Sequence, residues 1–188
     1  MRAPLLWLLL ASRLAGATAR ALDMTPIPSF KELEGFKVPI VTFKDGDRKI
    51  SYQPPSGWQL SGGGAQLRLF PSRIAECNAR FEVFKRKPLP DANAREELRK
   101  WAATLLPDGA EDIQAGEEYE NTFMFGPIGN REFLFTYTAN GNRFSASVAI
   151  ADLNEQQRFV ATTIARANDF ETMRREVISS MFRWAWDE

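Results

Sequence analysis

The residues able to do chemistry in this chain are few. Glu117, Glu118 and Glu120 stand within four positions of one another, and paired carboxylates perform acid–base work in glycoside hydrolysis. Adjacent residues of a strand point to opposite faces, however, and acidic clusters ahead of a strand are ordinarily solvated. Cys77 is the single thiol. It falls between Ala75 and Ala79 on the apolar side of an alternating run, where a cysteine packs as a small hydrophobe. The glycine triplet at 62–64 invites a phosphate-loop reading, but no Lys-Ser/Thr follows and no helix begins there. It reads as a mobile loop, free to serve as a lid or partner-binding tip. Lys85-Arg86-Lys87 reads as a solvated strand end.

The missing residue types exclude more. The chain has no His and one Cys in 188 residues. Serine and cysteine nucleophiles therefore have no histidine base, zinc has no imidazole or cysteine cluster, and no intrachain disulfide can form. Asp and Glu show no EF-hand-like spacing. No catalytic, metal-ligating or cofactor-binding residue is expected. What remains is a candidate partner surface. Arg68, Glu76, Arg80, Glu82 and Arg143 occupy the polar side of alternating runs, with signs mixed at short spacing, as a charge-complementary groove requires. Trp186 is the sixth candidate, since exposed aromatics favour interfaces.

These residues must be carried by elements. Residues 29–36 suggest a short helix with Phe30 and Leu33 on one side, and residues 38–43 an edge strand. From Lys49 the period is two. Ile50 and Tyr52 alternate with polar residues before Pro54-Pro55, then Ala65, Leu67 and Leu69, then Ala75 through Val83. Asn93 and Glu96 fit a capping box for a helix with Ala94, Leu98, Trp101, Ala102 and Leu105 along one stripe. Strands are expected at 119–125, 133–137, 144–150 and 158–165, with Asn140-Gly141 as a hairpin turn. Asn168 and Glu171 suggest a second capping box, opening a helix with Phe170, Met173, Val177, Met181 and Trp184 on one face. Tight turns between consecutive strands imply an antiparallel sheet.

The length suits one domain. Lys+Arg and Asp+Glu balance at 24 each, which disfavours generic nucleic-acid binding. Residues 1–21 carry Arg2, a short leucine-rich run and small residues at 17–21, the pattern of a secretory signal peptide cleaved after Ala19 or Ala21. The run is too short to span a membrane. Removal of Arg2, Arg13 and Arg20 would leave three fewer basic than acidic residues, a mildly acidic exported protein. Residues 22–47 then form a lead-in, and 48–188 the domain.

The sequence Ile-x-Tyr-x-Pro-Pro-x-Gly-Trp at 50–58, the mid-chain helix, the three-stranded meander and the Asp169-Phe170-Glu171 start of the last helix together resemble the Mog/PsbP-like group. The resemblance implies an α+β fold, an antiparallel sheet of about six strands flanked by helices as an α/β/α sandwich. It also implies an accessory or protein-binding role, an analogy at the level of fold. The expectation is a non-enzymatic exported protein, periplasmic or secreted, that binds another protein. The alternatives are a small-ligand or lipid carrier with a cleft between the sheet and the C-terminal helix, and an enzyme working with carboxylates and arginines alone.

Overall fold

The computed structural model describes residues 22–87, 94–120, 130–182 and 184–187. The expected signal peptide, Asn93 and most of the strand expected at 119–125 lie outside them. Among the described residues the chain forms eleven strands and two helices: β1 (Leu22–Leu33), β2 (Phe36–Asp45), β3 (Arg48–Tyr52), β4 (Trp58–Gly63), β5 (Gln66–Pro71), β6 (Asn78–Lys85), α1 (Ala94–Ala103), β7 (Glu111–Glu120), β8 (Arg131–Ala139), β9 (Asn142–Asp152), β10 (Gln157–Arg166), α2 (Phe170–Met181) and β11 (Ala185–Asp187). They build two antiparallel sheets, β1-β2-β3-β11 and β4-β5-β6-β10-β9-β8-β7.

This corrects the expected α/β/α sandwich of about six strands. Residues 29–36 are not helical. Glu34 and Gly35 both take positive φ, 50° and 83°, the backbone of a tight two-residue hairpin turn, and Ser29 to Leu33 pair with Ile40 to Phe36 across it. Residues 22–45 therefore fold into a long hairpin whose second strand pairs with β3. The chain's end adds β11 to the same small sheet. Much of one face of the large sheet is thus covered by a second sheet together with α2, not by helices alone.

The packing follows from alternation. Leu67, Leu69, Ala79, Phe81, Phe159 and Ala161 point to one side of the large sheet, where they meet Met24, Phe43, Ile50 and Tyr52 of the small sheet and Phe170, Met173, Val177 and Met181 of α2. Trp184 anchors this core, its ring 5.3–6.0 Å from those of Phe43, Tyr52, Phe81 and Phe159. Phe133, Phe135, Tyr137, Val148, Ile150 and Val160 point to the other side, beneath α1 and the turn after it, which bury Ala102 and Leu106. Phe84 and Trp101 meet edge to face on that side at 5.3 Å.

Other elements differ from expectation at their ends. The edge strand expected at 38–43 lies within β2, which is flanked by β1 and β3. β6 begins at Asn78, so Ala75 sits exposed in the preceding turn. β7 runs earlier than the strand expected at 119–125. α2 starts after Asp169, whose side chain makes no capping hydrogen bond, so Asn168 and Glu171 form no capping box; Glu171 instead pairs with Arg174 at 3.4 Å.

Candidate functional site

Strand parity and register decide which candidate residues share a surface. In β5 and β6, Arg68 stands opposite Arg80, and Gln66 opposite Glu82. These side chains lie on the face away from Leu67, Leu69, Ala79 and Phe81. The helix α1 covers the middle of that face but not its outer strands. Gln59 and Ser61 of β4, paired with Phe70 and Arg68, are exposed, and Phe70 is 39% exposed.

Within this patch the charges are partly spent. Arg80 Nε lies 2.7 Å from Glu82 Oε2, Gln66 donates to Glu82 Oε1 at 2.8 Å, and Arg80 also donates to the Leu105 carbonyl at 3.0 Å. Glu82 thus offsets the like-charge opposition of Arg68 and Arg80, while Arg80 ties the sheet to the turn behind α1. Arg68 is exposed and has no ion-pair partner among the described residues. Glu76 lies at the far end of the same face, in the turn before β6, in an ion pair with Arg166. Hydrogen bonding from Arg166 holds the Glu76 carboxyl below its usual range.

Two candidates fall elsewhere. Arg143 shares its strand face with Ser147 and Ala149, the opposite side of the sheet from Arg80. With Asp112, Gln114, Thr136 and Thr138 it lines a shallow depression of about 460 Å³ at the β7–β9 edge. Trp186 pairs through its backbone with Ile50 in the small sheet; its side chain lies outside what the structure describes. The expected groove therefore reduces to Arg68, Arg80 and Glu82, with Glu76 at its end.

The acidic cluster divides as strand alternation requires. Glu118, its carboxylate nearly buried, accepts from Arg95 at 2.8 Å, Arg99 at 2.9 Å and Arg131 at 2.8 Å. Burial raises its pKa, but these three guanidinium hydrogen bonds outweigh it and hold the carboxyl below its usual range. Glu120 pairs with Arg131 at 2.7 Å. On the other side of β7, the Tyr119 hydroxyl donates to Glu117, while the Arg174 guanidinium lies 4.9 Å above the Tyr119 ring.

The sequence reading missed two buried ion-pair sites. Glu132, fully buried in β8, takes two hydrogen bonds from Arg174 of α2, both 2.7 Å, and one from the Ser147 hydroxyl. Asp152 accepts from Arg158 at 2.6 Å and Arg86 at 2.7 Å, so one member of the basic run at 85–87 fastens strand ends together. No signal in the sequence marked Glu132, which stands one residue before the strand expected at 133–137 and falls inside β8 in the structure. These bidentate pairs clamp elements.

The glycine triplet has a structural reason of its own. Gly64 N–H donates to Asp23 Oδ1 and Thr25 Oγ1, each at 3.1 Å, and the Gly64 carbonyl accepts from Met24 at 2.7 Å. A Cβ on Gly63 would come within 2.7 Å of Thr25 Oγ1. The triplet forms the socket for the base of β1. The seam between α2 and the sheet is likewise occupied: Met173, Val177 and Met181 are buried there, and the Tyr52 and Ser180 hydroxyls are 2.9 Å apart. No described helix is long and apolar enough to cross a membrane.

No protein-family model and no curated protein matches this chain. Solved structures do. The crystal structure of LpqN, involved in cell envelope biogenesis of Mycobacterium tuberculosis, aligns with a TM-score of 0.55 at 10% identity, covering 77% of this chain and 87% of LpqN. At that identity the likeness shows a shared fold and nothing more. A structure from Bacteroides thetaiotaomicron VPI-5482 aligns at a TM-score of 0.43 with 13% identity, over 74% of this chain and 45% of its own. Neither is described as a Mog/PsbP-like protein.

Proposed function

We propose that this chain is an exported accessory protein of the cell envelope, periplasmic or secreted, that binds another protein and performs no catalysis itself. The observation that carries this reading is the exposed outer face of β4 and β5, beside Arg80 and Glu82 of β6. It offers an unpaired guanidinium at Arg68, a part-exposed ring at Phe70, the hydroxyl of Ser61 and the amide of Gln59 on a rigid ladder. An arginine and an aromatic framed by polar groups are the residues that dominate protein interfaces. The groups able to do acid–base chemistry point the same way, since Glu118, Glu132 and Asp152 are each held by arginines.

The LpqN-like fold supports the envelope assignment. Carriage of a small ligand or lipid along α2 is the less favoured reading, because side chains of the core fill that seam.

A photo-crosslinker at Gln59, introduced into protein exposed to native envelope extract, tests the reading. We expect one saturable protein adduct, competed by unlabelled protein. The absence of an adduct, together with a small molecule retained in native mass spectrometry, would move the function to carriage.

A further inference from the structure

The depression at the β7–β9 edge lies apart from the β4–β5 surface. It holds about 460 Å³ and is lined by Asp112, Ile113 and Gln114 of β7, Thr136 and Thr138 of β8 and Arg143 of β9. Strand register explains why these side chains converge. Thr138 stands opposite Arg143, and Gln114 opposite Thr136, so the four project from one face of the sheet. Elsewhere α2 packs over that face on β9 and β10. Beside the β8–β9 turn it is open: the two threonines are half-buried, and Gln114 and Arg143 are exposed.

A bulge in β7 completes the depression. Glu111 pairs with Thr138 and Gln114 with Thr136, so Asp112 and Ile113 together stand opposite Tyr137. Asp112 takes a φ of 51°, and a bulge of this kind re-aims the side chains it carries. Neither Asp112 nor Arg143 has an ion pair or hydrogen bond among the described residues. One approaches from β7 and the other from β9, with β8 between them, a span of roughly 10 Å across the sheet. Opposite charges thus flank the depression without neutralising each other, and hydroxyl and amide groups lie between them.

An apolar ligand would strip water from the five polar side chains and return no hydrogen bond. A bare anion would satisfy Arg143 but leave Asp112 facing negative charge, and a neutral polyol would leave the guanidinium unmatched. An amino acid would answer both charges but set hydrocarbon against Thr136, Thr138 and Gln114. Addition of a peptide strand to this edge is opposed by the bulge. A carboxylate that bears hydroxyls along its length answers every group. We propose that the depression binds a small hydroxylated carboxylate of the sugar-acid class. Its carboxylate takes paired hydrogen bonds from Arg143, its middle hydroxyls bond Thr136, Thr138 and Gln114, and its far hydroxyl donates to Asp112.

Amide-resolved NMR titration of the protein with sodium glucuronate, to about 50 mM at constant ionic strength, tests this. Saturable shifts are expected at residues 112–114, 136–138 and 143. R143Q and D112N should each raise the Kd roughly ten-fold or more. Both replace exposed side chains, and unchanged spectra away from the depression report an intact fold. Sodium acetate, glucose and sodium glutamate should each bind roughly ten-fold more weakly than glucuronate. The titration contains no partner protein, so its outcome is independent of the β4–β5 surface. Absence of saturation by glucuronate overturns the proposal, as does undiminished binding by R143Q. Acetate as tight as glucuronate would make this a simple anion site, glucose as tight a neutral sugar site, and glutamate as tight an amino-acid site; each of these results also overturns it.

Discussion

Cys77 is 3% exposed, and its thiol is pushed up to about 12, first by burial and then by the negative charges of Asp169 and Glu176. The thiolate is the reactive form, so at pH 8 the native protein should resist aromatic disulfide reagents and react fully once unfolded. Rapid native labelling would show that the segment leading into β6 opens. Glu118 gives the complementary pH argument. Its folded pKa lies below its unfolded value, so its contribution is complete above the unfolded pKa and is lost as pH falls through the folded one. E118Q should cost about 1–2 kcal/mol near neutral pH, a modest figure because its arginine partners stay partly hydrated. The gap between wild type and E118Q in thermal melts should close on acidification. A gap independent of pH would remove the ion-pair account. The cysteine's burial was legible from its parity with Ala79 and Phe81, although Ala75, expected on the same face, lies exposed in the turn ahead of β6. The three arginines converging on Glu118 from α1 and β8 were not, because nothing in the sequence says which turn of α1 lies over β7.

At the scale of elements, residues 62–64 function as a receptor for β1. Gly63→Val would place methyl groups against Thr25, where a Cβ alone already comes within 2.7 Å of Oγ1. The variant should stay folded while the Met24 amide, bonded to Gly64, exchanges about ten-fold faster or more, a loss of roughly 1.4 kcal/mol of local protection. Unchanged exchange would show that the base of β1 is held by its core side chains alone. The same hairpin shows where sequence reading fails. Asn140-Gly141 was legible as a turn, and its residues take φ of 49° and 73°. Glu34-Gly35 adopts nearly the same backbone at 50° and 83°, but glutamate lacks the short side chain that makes asparagine tolerant of this region. Phe30 and Leu33, three apart, imitate a helical stripe. The base of the hairpin is held by contacts of Asp23, Met24 and Thr25 with Gly64, some forty residues away, a tertiary cause that local spacing does not reveal.

For the whole molecule, the expectation of a single sheet flanked by helices failed because the two ends of the described chain, β1–β2 and β11, meet on either side of β3. That contact joins residues more than a hundred positions apart, and no local period encodes it. The antiparallel meander of β8–β10 was legible, as was the polar face of β5 and β6, because both rest on alternation. Arg143 was assigned to the wrong surface for the same reason it was noticed: its strand alternates correctly, but which of two buried sides faces α1 is a property of the assembled sheet. That separation gives an internal control, since Arg68 and Arg143 are alike in charge and lie on opposite faces. The most direct measurement is the affinity of the protein captured at Gln59 for wild type, R68E and R143E, by titration calorimetry. The account predicts that R68E weakens binding roughly ten-fold or more while R143E leaves it unchanged. Equal losses in both variants, or full affinity in R68E, would contradict the assignment of the β4–β6 face as the binding surface.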